Sequence, residues 1–467
     1  MAITNTLQSP PLWSAAYNPI VWMVESDQTT QYKFRYVFDV YIDNNPKVRF
    51  KVPPNPEGKG LIDVAALVAA EIDITTNLPF LSATKFYMGD ALAAKVYILA
   101  GEEYATTPTG ATVIYNGLGA VGEPAYPLYA NGDFRPAPDY TTPVAAWASA
   151  QSPEKYFTYL ASGGEDILQY EMAIGQIFDV GGKFLTTCPD SPQTIRSDED
   201  FTLTWLNRNF EAATNPQTFP YAMKMTTFIN GATVGATGFI NTVANGGIWP
   251  TCSVAPSAAT GASGPENYLE SFKMNMADVQ TFVPGAFDQV DFQLFSYSTY
   301  GVCSLGATGI SETISLEIND ANCWGFQPIR FTWLNTLGGR DWFTFMKRNT
   351  FVQNASRTTL YKLPGYWSAA TYSVFDNQPA RYGTTVFRND LTNTWTASTD
   401  WLTEEQSAWL REMFASPSVF AYLPDRTQPV GIIIQDAEYA VQTIRRENLF
   451  QYFVSFVESL PDNVQAY

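Results

Sequence analysis

The 467-residue chain contains no histidine. That absence removes serine–histidine and cysteine–histidine nucleophile pairs, histidine general bases and every histidine-ligated metal site. Cysteine is scarce as well. Cys188, Cys252, Cys303 and Cys323 lie far apart and form no CxxC pair. The spacing argues against a four-thiolate zinc site and against a disulfide scaffold, and predicts buried free thiols. Charged residues make up only 15% of the chain, yet the formal net charge is −18. An acidic surface repels nucleic-acid phosphate and anionic lipid, so neither nucleic acid nor membrane is an expected partner. No apolar run reaches the ~18 residues of a membrane span. The opening Met1-Ala-Ile-Thr-Asn-Thr-Leu7 lacks the basic and apolar regions of a signal peptide, which predicts synthesis in a cytoplasm.

Apolar and aromatic residues are abundant, at 46% and 15%. That is ample for burial, and the length exceeds one ordinary core. The stretch Phe326–Met346 reads as a central β-hairpin in a large sheet. Ile329, Phe331 and Trp333 share one strand face with Arg330 and Thr332 on the other, and Gly338-Gly339 makes the reversal. Tyr32 to Ile42 alternates cleanly, turns at Asp43-Asn-Asn-Pro46, and continues as Val48, Phe50 and Val52 against Lys47, Arg49 and Lys51. Pro53 to Gly60 reads as a loop, followed by a short helix from Val64 to Glu71 capped by Asp63.

Further strands are predicted at Lys95–Ala100, Ala111–Tyr115, Phe201–Asn207, Val290–Tyr297, Thr313–Ile318, Ile432–Ile434 and Asn448–Glu458. Tyr221–Ile229 runs into Asn230-Gly231, a two-residue hairpin signal. Gly117–Pro138 and the Gly-, Ala-, Thr- and Ser-rich Thr233–Pro265 read as loops, the second either mobile or ordered by assembly. Ser152-Pro153 starts a helix. Thr403-Glu-Glu-Gln406 is a capping box leading into a helix with Trp409, Leu410, Met413 and Phe414 on one stripe. The tetrapeptide Thr-Trp-Leu-Asn occurs at Thr204–Asn207 and Thr332–Asn335, through a duplicated sheet unit or by coincidence. The fold class is therefore mainly β, with antiparallel β-sandwich-type domains and a few short helices. We expect three domains: 1–195 with an aromatic arm, 196–365 containing the Gly-Gly hairpin, and 366–467 with the capped helix.

Paired carboxylates are the remaining acid–base apparatus. Glu102-Glu103, Asp198-Glu199-Asp200 and Glu404-Glu405 are candidates for sugar-bond hydrolysis. Neighbours on a strand, however, point to opposite faces, and Glu404-Glu405 sit where a helix start favours negative charge. Asp39/Asp43 and Asn319-Asp320 offer oxygen ligands without a twelve-residue calcium-loop pattern. No phosphate-binding glycine motif is present. The sequence thus predicts no catalytic residue, no cofactor and no metal. The aromatic residues read as core and interface anchors, with stacking on sugars as the other use. The candidate interface residues are Trp13, Tyr17, Trp22, Trp249 and Trp367.

Several segments together resemble virion structural proteins of tailed bacteriophages, namely the tail, baseplate or neck components of phages of marine and Bacteroidetes-type hosts. They are Ala16-Tyr-Asn-Pro-Ile20 running into Phe34–Ile42, Trp333-Leu-Asn-Thr-Leu-Gly-Gly339 with Trp342-Phe-Thr-Phe345, and Asp400–Glu405 through Ser416-Pro417 to Ile432–Ile434 and Phe450–Glu458. The resemblance covers about a third of the chain. It implies a non-enzymatic subunit of a virion assembled in the host cytoplasm. Such a subunit works by association with copies of itself in a ring or shell and with other virion structural proteins. The alternative is a receptor- or carbohydrate-binding spike protein.

Overall fold

The computed structural model describes the chain except for residues 1–2, 4, 11–12, 18, 73–77, 82–85, 90–93, 122–125, 129–183, 191, 207–220, 241–246, 250–268, 284, 298–304, 310, 321–325, 362–364, 368–374, 378–382, 425, 427, 436–450, 460–464 and 467. The protein is mainly β, built from several sheets that are mostly antiparallel. Among the described residues two pairings are parallel: Tyr126–Leu128 with Trp13–Ala15, and Gln193–Ile195 with Ile314–Ile318. The chain divides into two compact units, Met1–Asp320 with Leu334–Asp341, and Ala321–Trp333 with Trp342–Tyr467.

In the first unit, Tyr32–Ile42 pairs with Asn45–Val52 and with Val96–Ala105, which pairs in turn with Val113–Ala120. The expected turn is present, with Asp43 and Asn44 both at positive φ, as a tight hairpin reversal requires. Its alternation produces a buried face of Phe34, Tyr36, Phe38, Val40 and Ile42. The predicted loop at Gly58–Gly60 becomes the strand Lys59–Asp63, paired with Val21–Glu25. Gly60 is needed there because a Cβ would lie 2.5 Å from the Tyr36 ring. The helix that follows spans Ala65–Glu71. Asp63 sits one residue before its N-cap, and its carboxylate accepts from the amides of Ala65 and Ile20, both at 3.0 Å.

Elsewhere in this unit two sheets pack face to face. Phe201 of Asp200–Leu206 and Phe272 of Leu269–Asn275 meet Phe292 of Gln289–Tyr297, with ring centroids 4.6 and 6.1 Å from Phe292. The Asn230-Gly231 hairpin joins Tyr221–Ile229 to Ala232–Ile240. Strands Ala232–Ile240 and Gly247–Trp249 occupy part of the segment expected to be a loop. The remainder of that segment, the Ser152-Pro153 helix and Cys252, Cys303 and Cys323 lie outside the described residues. Cys188 is a free, half-buried thiol.

The second unit carries an eight-stranded sheet. Strand Ile329–Leu334 is buried at all six positions, including Arg330 and Thr332, so its second face is covered too. Arg330 lies over the rings of Trp342 and Tyr422 at 5.5 and 5.9 Å, which offsets the loss of water around the guanidinium. The hairpin is not central: Arg340–Phe345 ends the strand order, beside Ile329–Leu334. The capping box forms as the sequence predicts, and helix Glu404–Ala415 places Trp409 5.1 Å from Trp333. Phe331 joins Phe345 and Phe456 in the same core, at 4.7 and 5.1 Å.

The hairpin tip, Leu334–Asp341, belongs to the first unit. Gly338 takes φ +90° there. Asn335 fixes the turn by accepting from Leu337 and Gly339 amides and donating to the Leu185 carbonyl at 2.8 Å. At Gly339 an added Cβ would stand 1.8 Å from that carbonyl oxygen. Gly339→Ala should therefore cost about 3 kcal/mol or more, because the obstructing atom is backbone and cannot rotate away. Chemical denaturation checks this; an unchanged midpoint would mean that the turn is not seated there.

Candidate functional site

The acidic clusters come first, because they alone carry acid–base chemistry. Glu102 and Glu103 point to opposite faces of strand Val96–Ala105, as neighbours on a strand must. Glu102 is fully buried, accepts from the Ser26 hydroxyl through Oε1, and has no partner at Oε2. Burial pushes its carboxyl above the ordinary value, and the charge of Asp27 adds to this. Its cross-strand neighbour Tyr36 donates to the Gly58 carbonyl at 2.6 Å. Burial, reinforced by the charges of Glu102 and Glu25, pushes the Tyr36 phenol up to about 12. Glu103 faces the other way, and hydrogen bonds from Lys51, 2.6 Å away, and from Thr112 at 2.5 Å lower its pKa. The two carboxyls are tuned in opposite directions but cannot act on one substrate.

The other carboxylates hold backbone or cations. Asp39 pairs with Arg49 through two 2.6 Å contacts. Asp43 accepts from the Lys95 amide at 2.8 Å, and Asp320 from the Ser197 amide at 2.9 Å. In the Asp198-Glu199-Asp200 run, Asp198 pairs with Arg196, Glu199 accepts from the Arg196 amide, and Asp200 lies 3.8 Å from Lys273. Asp341 is buried and accepts from both Thr186 and Thr187 hydroxyls at 2.7 Å and from the Thr187 amide at 3.1 Å. Burial, and then the Asp341 charge, raises the pKa of the adjacent Cys188 thiol, so it is not a ready nucleophile. Among the described residues no group of three metal-ligating side chains converges.

Of the five candidate interface residues, Trp22 and Tyr17 have described side chains. Trp22 is fully buried within its own unit, and Tyr17 is half-buried. Trp13, Trp249 and Trp367 have backbones in strands, while their side chains lie outside the described residues.

A different surface stands out in the second unit. Asn349–Tyr361 and Thr384–Ser398 pair antiparallel from Asn349↔Ala397 to Tyr361↔Thr384, with one irregularity at Thr358/Thr359. Both strands are rich in Thr, carry one Phe and one Val each, and contain neither Pro nor Gly, which suits an extended backbone. The thirteen-residue strand spans ~44 Å at about 3.4 Å per residue. The base of the ribbon is anchored: Trp395, Ala397 and Ser398 are buried, Phe351 packs on Trp395 at 4.6 Å, and Ser398 donates to the Arg348 carbonyl. From Phe351 onward every residue of the first strand is exposed, on both faces. Phe351, Val352, Leu360, Tyr361, Val386 and Phe387 are the large apolar side chains left in water, Tyr361 at 68% exposure. Asn349–Tyr361 also ends the strand order, so among the described residues no strand pairs with its outer edge. Sequence reading missed the ribbon because a strand with two wet faces shows no apolar–polar alternation. Its length without Pro or Gly was the available signal.

No known protein family, curated protein or solved structure matches the chain.

The Glu102 environment has a measurable consequence. A carboxyl whose folded pKa is raised binds its proton more tightly when folded, so its contribution to stability falls as pH rises from the unfolded value to the raised one. Glu102→Gln should remove this loss. Its stability relative to the parent should increase as pH is taken upward through 4.5, the ordinary value from which Glu102 is displaced. Thermal unfolding of both proteins across that range checks this; a difference independent of pH would contradict it.

Proposed function

We propose that the chain is a structural subunit of a larger particle, working by association with copies of itself and with neighbouring proteins. Given the resemblance of its aromatic segments to virion structural proteins of tailed bacteriophages, we place it in the tail, baseplate or neck of a virion. The observation that carries the reading is the ribbon Asn349–Tyr361/Thr384–Ser398, whose apolar side chains and outer backbone edge face water. A monomer normally blunts such an edge with lysine, proline, a bulge or a covering segment, because unpaired amides and carbonyls recruit another strand. Here the strand carries Arg357 as its one charge and a single irregularity. In an assembly the same edge becomes an interface. Apart from the buried Glu102, the carboxylates described above hold backbone amides, hydroxyls or cations, which accords with a non-enzymatic role.

A second reading, a receptor- or carbohydrate-binding spike, draws on the exposed aromatic rings of Trp401, Tyr361 and Phe453. Light scattering on the purified chain, together with glycan-array binding, separates the two. The structural subunit should increase in mass with concentration and retain no glycan. A protein that stays monomeric up to about 100 µM and captures glycans would contradict the first reading.

A further inference from the structure

Beyond that reading and separate from it, we propose that the turn at 26–31 is a pH-sensitive cover over Glu102, closed while that carboxyl carries its proton and opening to water as the proton is lost. Glu102 is fully buried, and its Oε2 has no hydrogen-bond partner. An ionised carboxylate in that place keeps charge out of water with no donor on one oxygen, which costs more than burying the neutral acid. The turn lies against the carboxyl. The Ser26 hydroxyl donates to Oε1, and the Ser26 amide faces the hydroxyl of Tyr36, the cross-strand partner of Glu102. The other hydrogen bonds of the turn are internal. The Gln28 amide donates to the Ser26 hydroxyl and the Gln31 amide to the Gln28 carbonyl, both at 2.9 Å, while the Gln28 and Gln31 side chains bond Asp27 and Gln28. Lifting the turn therefore breaks few bonds to the sheet beneath it.

The surrounding charges set the direction. Asp27 in the turn and Glu25 on the strand leading into it are acidic, so a proton lost from Glu102 adds a third negative charge to this side. The Tyr36 phenol, pushed up to about 12, stays neutral. Lys59, the cross-strand neighbour of Glu25, pairs with Glu57 at 3.0 Å, and Lys33 donates to the Gly110 carbonyl at 2.9 Å. The positive charges of Lys51 and Arg35 act on Glu103, on the opposite face of the strand. Tyr115 is the other cross-strand partner of Glu102, and the amino terminus is the one cation that favours its ionised form. With the turn closed Glu102 holds its proton more tightly; with the turn open the carboxyl returns to its ordinary value of 4.5. Opening therefore becomes easier as pH rises from 4.5 towards the raised value, and levels off above it.

The test is amide hydrogen exchange of the full chain between pH 4.5, the ordinary value for Glu102, and about 7.5, each rate divided by that of an unstructured peptide at the same pH. In the parent, protection at 26–31 should fall with rising pH by up to about tenfold per unit, then level off. Protection in strand Val96–Ala105 should hold, because the sheet beneath the cover stays paired. Glu102→Gln keeps the shape and cannot ionise, so its protection at 26–31 should not change with pH. Asp27→Asn alters an exposed residue and keeps the test open should the buried variant fail to fold. It removes one repelling charge, so the total fall should be smaller than in the parent. Parent protection at 26–31 that is constant with pH, or a fall of the same size in both variants, would overturn the proposal. So would a fall shared equally by Val96–Ala105, which would make the event an unfolding of the sheet and not the lifting of a cover.

Discussion

Every backbone amide and carbonyl in a sheet needs a partner, and the last strand of an open sheet has partners on one side only. That constraint organises this protein more than any side-chain chemistry. Unit by unit, the described sheets bury aromatic faces: Phe201, Phe272 and Phe292 in the first, Phe331, Trp333 and Phe456 in the second. Several of their polar groups hold turns, as Asp43, Asn335 and Asp63 do. Among the described residues, the ribbon stands apart with two wet faces and an edge that no strand pairs with. The functional account follows from that imbalance between finished cores and an unfinished margin.

The electrostatics point the same way. A chain of net charge −18 resists self-association over most of its surface, which keeps it from sticking indiscriminately. The ribbon strands depart from that excess, with Arg357 and Arg388 against Asp390. Specificity then comes from where repulsion is absent as much as from attraction. Buried charge follows a separate logic. Arg330 is accommodated by the rings of Trp342 and Tyr422, and Asp341 by three donors from Thr186 and Thr187, so neither is left as a reactive group.

Much of this was legible in the sequence. The hairpin from Tyr32 to Val52 alternates on one buried face and turns at residues that tolerate positive φ, and both features survive into the structure. Asn230-Gly231 and the Thr403–Gln406 capping box are local signals with local causes, and they form where the residues predict. Burial on the second face of Ile329–Leu334 was not legible, because the rings that shelter Arg330 come from Trp342 and the distant Tyr422. Nor could sequence separate Glu102 from Glu103 in character: they are adjacent, and only the strand's two environments drive one pKa up and the other down. The two Thr-Trp-Leu-Asn copies sit in strands of different sheets, Asp200–Leu206 and Ile329–Leu334, with unrelated pairing partners. Exposure of the aromatic residues was not legible either. Trp22 is fully enclosed, whereas the most exposed apolar ribbon is made of Phe, Val, Leu and Tyr in a segment with no periodic pattern.

Amide hydrogen exchange resolved to residues 349–361, compared between dilute and concentrated protein, addresses the central claim most directly. If the edge is covered by a second copy, every other amide of that strand, those facing outward, exchanges more slowly as concentration rises, while the exposed turn at 106–110 is unaffected. Exchange in 349–361 that is the same at both concentrations, in a protein that has nevertheless associated, would show that the margin of the sheet is not where its copies meet.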